Sequence, residues 1–163
     1  MEKGKIYVYY GEGRGKTSAA LGRAVQAAAA GGRVVLIQFL KEKGLEDSEF
    51  LRRLEPEIKF FRFEKSCENF EELPPERKRD EVSNMRNGIG YAKKVLGTGE
   101  CDLLILDEVL GLVEKDILCE EDLKNLLECR NSTDIILTGI NLSDEICALA
   151  DEMSGIGSVI RKR

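Results

Sequence analysis

From Gly11 to Ser18 the chain reads GEGRGKTS, with the apolar run Ile6 to Tyr10 before it and an alanine-rich segment after it. A strand, a glycine loop and a helix in that order form a cradle for phosphate. The glycines let backbone N–H groups turn toward oxyanions, Lys16 adds a point charge, and Thr17 at the helix start offers a hydroxyl to Mg²⁺ or Mn²⁺. Gly11, Glu12, Gly13, Arg14, Gly15, Lys16, Thr17 and Ser18 are therefore the candidate residues for nucleotide phosphates. The loop is one residue shorter than the usual G-x-x-x-x-G-K-[ST], since Tyr10 stands where the first glycine belongs. That shortening alters how far the loop wraps the phosphate chain. A dinucleotide fingerprint of the G-x-G-x-x-G kind is excluded, because Lys16 occupies its third glycine position.

A second set of chemical groups lies at DLLILDE, Asp102 to Glu108, where four apolar residues run into two adjacent carboxylates. This is a Walker B pattern: Asp107 and Glu108 emerge at the carboxyl end of a strand, the edge on which open α/β sheets bind ligands. One acid serves a divalent metal, directly or through water, and the other is a second ligand, a base or a structural partner; the residues alone leave the division open. In many ATPases the second acid orients a water, so nucleotide hydrolysis is the reading these residues give by themselves. The chain has no histidine. Ser-His-Asp triads, Cys-His pairs and H-E-x-x-H metal sites are thus excluded within it. Its five cysteines, Cys67, Cys101, Cys119, Cys129 and Cys147, are scattered without a C-x-x-C pair, which suits reduced thiols better than a disulfide framework or a zinc site.

The elements that must position these groups follow from periodicity and punctuation. Strands are expected at Ile6–Tyr10, Val34–Leu40, Ile58–Phe63, Asp102–Asp107 and Asp134–Thr138, with a further one at Ser158–Arg161. Helices are expected at Thr17–Ala30, stopped by Gly31-Gly32; at Pro75–Leu96, closed by Gly97 and Gly99 but weakened by Gly88 and Gly90; at Glu120–Cys129; and after the N-cap Ser143 as far as Ala150. Leu45–Leu54 is weakly helical, and Glu64–Pro75 is the longest loop. Alternating strands and helices predict an α/β fold, an open, mostly parallel sheet of five to six strands with helices on both faces, P-loop NTPase-like and RecA-like. With 163 residues and 42% hydrophobic content, a single nucleotide-binding domain over residues 1–163 is expected. A net charge of −5 argues against general binding to nucleic acid or anionic membranes, and the basic runs Arg77–Arg79 and Arg161–Arg163 read as solvated surface. The start MEKGK lacks an apolar leader and no run reaches membrane-span length, so a cytoplasmic location is expected.

Three segments together, VYYGEGRGKTSAALGRAVQAAAAGGRVVLIQFLK, DLLILDEV and DIILTGINLSDEICALAD, resemble the P-loop-type ATP:corrinoid adenosyltransferases, which act on cob(I)alamin or cob(I)yrinic acid a,c-diamide. The resemblance runs to about Glu152 and includes the shortened loop, the F-x-K segment Phe39–Lys41, and the T-G followed by a helix ending in L-A-D, Thr138–Asp151. It implies transfer of the 5′-deoxyadenosyl group of ATP to the Co(I) of a reduced corrinoid with release of triphosphate. Co(I) is itself the nucleophile, so no histidine base is needed; the protein positions C5′ and stabilises the leaving triphosphate. The resemblance further implies catalytic roles for Lys16, Thr17 and Glu108, metal binding by Thr17, Asp107 and Glu108 with Glu108 as first choice, and Phe70 facing the corrinoid. It also implies ATP and a reduced corrinoid as partners, a flavoprotein reductase, a homodimer, and a place in adenosylcobalamin synthesis or salvage. The chain departs from the family pattern in having no tryptophan, in carrying Ile140 where arginine usually follows T-G, and in ending at Arg163, where relatives continue into a tail. A P-loop ATPase or kinase with another substrate, or an ATP-binding regulatory relative, is the alternative.

Overall fold

The computed structural model describes residues 2–41 and 44–161; Lys162 and Arg163 of the C-terminal basic run lie outside the described residues. Six strands, β1 (Ile6–Tyr10), β2 (Val34–Gln38), β3 (Ile58–Arg62), β4 (Leu103–Asp107), β5 (Asp134–Gly139) and β6 (Glu152–Gly155), form one sheet in the order β3-β2-β4-β5-β1-β6. Every pairing is parallel. β5 thus separates the strand that leads into the glycine loop from the strand that ends in the acid pair.

The central strands are apolar on both faces because helices cover both: β2 and β4 are buried along their whole lengths. On one face lies α1 (Lys16–Ala29), whose Ala20 and Ala24 are fully buried against Leu36, Ile105 and Ile136 of the sheet. Small side chains there let the helix sit close. The short α2 (Glu49–Arg52) and the turn after it extend this layer through Leu51 and Leu54. On the opposite face pack α3 (Pro75–Thr98), α4 (Val109–Glu114), α5 (Glu120–Glu128) and α6 (Asp144–Leu149), around Met85, Leu96, Leu112, Leu123, Leu126 and Ile146. Each such side chain contributes about 1.5–3 kcal/mol on full burial. The α/β class, the parallel sheet and the two helical layers are as the sequence predicts.

Most boundaries agree with expectation to within one or two residues. Gly88, which weakens the sequence signal for α3, is a packing requirement: a Cβ there would come within 3.0 Å of the Phe39 ring and 3.1 Å of the Phe63 ring. Gly99, at φ 68, caps the helix in the left-handed conformation.

One expectation needs correction, and one element is new. Residues 158–161 are not a strand; the sixth strand is β6, at Glu152–Gly155, paired parallel to β1. It is a largely exposed four-residue edge strand, EMSG, whose single large apolar residue, Met153, sets up no apolar alternation to announce it. The new element is α4, which follows directly on β4 and for which the sequence predicts no element. Its first four residues, Val109 to Leu112, are buried, and so short an apolar run cannot be told from a strand or loop by periodicity.

Candidate functional site

The glycine loop leaves β1 at Tyr10 and enters α1 at Lys16, and its backbone is shaped by two positive φ values, 120° at Gly11 and 112° at Gly15. Gly15 caps the helix, and the amides of Lys16, Thr17 and Ser18 in its first turn have no intrahelical acceptor. They are donors for an anion at the positive end of the helix dipole. Lys16 Nζ donates to the carbonyls of Gly11 at 2.7 Å and Gly13 at 2.9 Å, so the ammonium is held against the loop it serves. The segment after β6 crosses the same loop: Gly13 N donates to the Ile156 carbonyl at 2.9 Å, and Arg14 N donates to Ser158 Oγ at 3.2 Å. A Cβ on Gly13 would meet Gly157 at 2.6 Å, and one on Gly11 would overlap the Ile156 carbonyl. Glycine is therefore required there by chain crossing. Glu12 and Ser18 are exposed, as is Arg14.

Asp107 ends β4 fully buried beneath this loop. Thr17 Oγ1 donates to its carboxylate at 3.0–3.1 Å, Thr138 Oγ1 donates to Oδ1 at 2.6 Å, and Gln38 Nε2 donates to Oδ2 at 3.0 Å. A buried carboxylate is tolerated when hydrogen bonds replace its lost hydration, and three neighbouring elements supply them here. Glu108 points elsewhere. Its backbone is left-handed, φ 65, and its N–H donates to Thr138 Oγ1 at 2.7 Å. Its carboxylate lies 3.9 Å from Lys41 Nζ. The two acids are thus divided by geometry: Asp107, not Glu108, meets the Thr17 hydroxyl.

Glu108 opens into a cavity of about 770 Å³ built at the carboxyl ends of β2, β4 and β5 and closed by the loop after β3. Leu40, Lys41, Glu64, Phe70, Gly111, Lys115 and Ile140 are among its walls. Phe70 begins a single 3₁₀ turn, Phe70–Glu72, with Lys78 Nζ 5.8 Å from its ring centre. The cavity and the phosphate loop share a wall: the Ile140 carbonyl accepts from Gly11 N at 3.0 Å, while Ile140 also lines the cavity. Leu40 and Glu108 both hold the left-handed conformation that non-glycine residues avoid, and both line this space. Burial pushes the Glu64 carboxyl up to about 7, against the lowering influence of Arg62 and the Leu40 N–H.

Sequence reasoning locates the loop, Asp107, Glu108 and Phe70, and the structure brings all of them to one edge of the sheet. It assigns no role to Gln38, Thr138 or Glu64. Gln38 and Thr138 each sit as a buried polar residue beside a run of apolar ones in its strand, and such a residue is the signal that something nearby needs a hydrogen bond. Among the described residues no group of three or more His, Cys, Asp or Glu is placed to hold a metal. A cation here would need the Thr17 hydroxyl and ligand oxygens beside a carboxylate. The five cysteines are free thiols, and burial pushes Cys101 up to about 12, which makes it inert. No helix among the described residues is long and apolar enough to cross a membrane.

Comparison with known proteins identifies the family. The family described as ATP:corrinoid adenosyltransferase BtuR/CobO/CobP matches residues 2–162. A corrinoid adenosyltransferase of Escherichia coli (strain K12) is 32% identical over 159 residues, which cover 97% of this chain and 79% of that protein. The corrinoid adenosyltransferase CobA of Salmonella typhimurium is 31% identical over the same span. Among solved structures, a DNA replication initiation factor and domain III of the Thermotoga maritima replication initiation protein DnaA align with 94% and 96% of this chain, at a TM-score of 0.45 and 16% identity, over 40% and 55% of their own lengths. That distant likeness bears on no functional point. The chain belongs to the ATP:corrinoid adenosyltransferase family.

Proposed function

We propose that this member of the ATP:corrinoid adenosyltransferase family binds ATP in the loop Gly11–Ser18 and the corrinoid in the adjoining cavity, and releases intact triphosphate. Transfer of the adenosyl group from ATP to a corrinoid is the family activity. The observation that carries the arrangement is the shared wall: Thr17 bonds to Asp107, the next residue lines the cavity, and Ile140 belongs to both compartments. A hydrolase needs room for one water. A cavity of this size beside the phosphates suits a bulky second substrate.

In this reading cobalt, as Co(I), supplies the electron pair that forms the bond to C5′, and the C5′–O bond breaks with its pair passing to triphosphate. The chain's part is to bind, align and stabilise charge. The first-turn amides of α1 and Lys16 take up charge on the leaving triphosphate, a role for which preorganised donors are worth several kcal/mol. Thr17 and Asp107 fit a Mg²⁺ or Mn²⁺ ion, the hydroxyl as ligand and the buried carboxylate as its support or water-bridged partner, with phosphate oxygens completing the set. When bound, that ion neutralises phosphate charge. Glu108, facing the cavity, fits the catalytic edge between the two substrates, and Phe70 an apolar wall against the corrin. Absence of a histidine base is consistent with a nucleophile that arrives with the substrate.

Residues 1–163 as one nucleotide-binding domain, a cytoplasmic setting, a homodimer, a flavoprotein reductase supplying reduced cobalt, and no nucleic-acid or membrane partner complete the proposal. The negative net charge supports the last of these. The discriminating experiment incubates the protein with ATP, Mg²⁺ and chemically reduced cobalamin and identifies the phosphate product. Adenosylcobalamin with triphosphate is expected; ADP and phosphate would favour an ATPase or kinase, and ATP binding without either product a regulatory relative.

A further inference from the structure

Glu64 stands in the cavity wall with only 8% of its surface exposed. Its Oε2 accepts from Leu40 N at 3.0 Å. Oε1 is buried as well and has no hydrogen-bond partner among the described residues. A buried carboxyl oxygen left unpaired is unfavourable, and in the wall of a cavity a ligand group is one partner that can complete it.

The surrounding charge is lopsided. Glu64, Glu68, Glu71, Glu81, Glu108 and Glu114 line the cavity against only Lys41 and Lys115. Lys115 pairs with Glu71, Lys41 faces Glu108, and Glu68 is bridged by Arg77 outside the wall. Glu64, Glu81 and Glu114 therefore have no ion pair among the described residues. Arg62, whose charge acts on Glu64, commits its donors to the carbonyls of Lys41, Glu64 and Ser66. Among the described residues the wall's two ammonium groups both face acids, Lys115 against Glu71 and Lys41 at 3.9 Å from Glu108, so acids outnumber the cations that an anionic group could meet.

We propose that Glu64 is a specificity-determining residue for the acceptor: its Oε1 hydrogen-bonds a peripheral carboxamide of the corrin ring, and the acidic cavity selects corrinoids whose side chains end in carboxamides over those ending in free carboxylates. The inference rests on the adenosyl-transfer reading given above. A carboxamide has both a donor and an acceptor, so it satisfies Oε1 whether the glutamate is ionised and accepts or is protonated and donates. A free carboxylate only accepts. Placed against Glu64 it meets a like charge unless one of the pair takes up a proton, and the other acids of the wall add to the repulsion. The raised pKa of Glu64, near neutrality, keeps both of its forms available for the amide.

The test measures kcat/KM at saturating ATP for prereduced cobinamide, whose peripheral groups are amides, and for prereduced cobyrinic acid, whose peripheral groups are carboxylates. ATP affinity is measured separately. The protein is expected to favour cobinamide by about tenfold or more, the scale of one hydrogen bond to a charged group. Glu64→Gln keeps an oxygen for Leu40 N but places an NH₂ donor toward the cavity, so it should narrow the preference several-fold, chiefly by lowering the KM for cobyrinic acid. Equal kcat/KM for the two corrinoids in the unmodified protein would overturn the inference while leaving adenosyl transfer standing, and that comparison does not depend on the variant folding. An unchanged ratio in a folded Glu64→Gln protein would overturn the role of Glu64. Turnover of neither corrinoid, with ATP bound normally, would remove the adenosyl-transfer reading and this inference with it.

Discussion

Replacing Thr138 by valine removes a single hydroxyl at nearly constant volume, from a site with no solvent access. That hydroxyl donates to Asp107 Oδ1 at 2.6 Å and accepts from Glu108 N at 2.7 Å, so it is the link that holds the two acids in their different orientations. Valine leaves the carboxylate with the donors of Thr17 and Gln38 and leaves the Glu108 N–H without its acceptor. A hydrogen bond to a charged group is worth about 1.5–3 kcal/mol, and an orphaned buried donor costs about 1–3 kcal/mol. The two losses share one relaxation, so the expected destabilisation is roughly 2–5 kcal/mol rather than their full sum. For a chain of this size each kcal/mol lowers Tm by about 2–4 °C, which puts the shift at roughly 5–15 °C. Glu108 also loses the bond that fixes its left-handed backbone, so kcat for adenosyl transfer should fall by about tenfold or more even well below the new Tm. Thr138→Ser retains the hydroxyl and should recover most of both. Thermal denaturation together with steady-state kinetics checks this; a Thr138→Val protein with unchanged Tm and kcat would refute the linking role.

Lys16→Ala should reduce transfer by about a hundredfold or more while Tm stays near that of the parent, because among the described residues Nζ bonds only to carbonyls of its own loop; retained activity would mean that the loop does not hold the leaving group. Gly88→Ala and Gly90→Ala form a contrasting pair in denaturant titrations. The first pushes a methyl against Phe39 and Phe63 and should destabilise by about 1–2 kcal/mol, whereas the second, with open space around it, should stabilise by about 0.5–1 kcal/mol. Glu64 gives a pH signature. Its folded pKa of about 7 lies above the unfolded value, under the raising influence of burial, Glu81 and Glu46 and the lowering influence of Arg62. From about pH 4.5 to 7 the folded state therefore keeps a proton that the unfolded state releases, and stability falls as pH rises through that window by up to roughly 3 kcal/mol. Glu64→Gln should remove this component, gaining stability over the parent at pH 8 relative to pH 5; parallel pH profiles would count against the burial.

The glycine loop, the acid pair and the two-sided parallel sheet are legible in the sequence because each rests on local spacing: glycines beside Lys16-Thr17, an apolar run ending in Asp107-Glu108, strands too apolar to face water. What stays hidden depends on tertiary approach. Gly11 and Gly13 look like phosphate-binding residues and nothing more until Ile156 and Gly157 are seen to cross them. The preference for Asp107 over Glu108 at Thr17 is decided by the turn from β4 into α4, where Glu108 adopts φ 65, and no residue pattern encodes it. Glu64 is one acid in a polar stretch of sequence, and its burial appears only when the ends of β2 and β3 meet α3. β6 is missed for a related reason: an edge strand needs only backbone bonds to β1 and imposes little on its side chains.

The central claim is that the bond cleaved lies at the 5′ carbon and not between phosphates. Its most direct test is a single reaction with ATP, Mg²⁺ and prereduced cobalamin, followed by the absorbance change of the corrinoid and by separation of the phosphate products. Adenosylcobalamin and triphosphate in equal amounts, with no ADP, is the predicted result. ADP with inorganic phosphate, and an unaltered corrinoid spectrum, would contradict it.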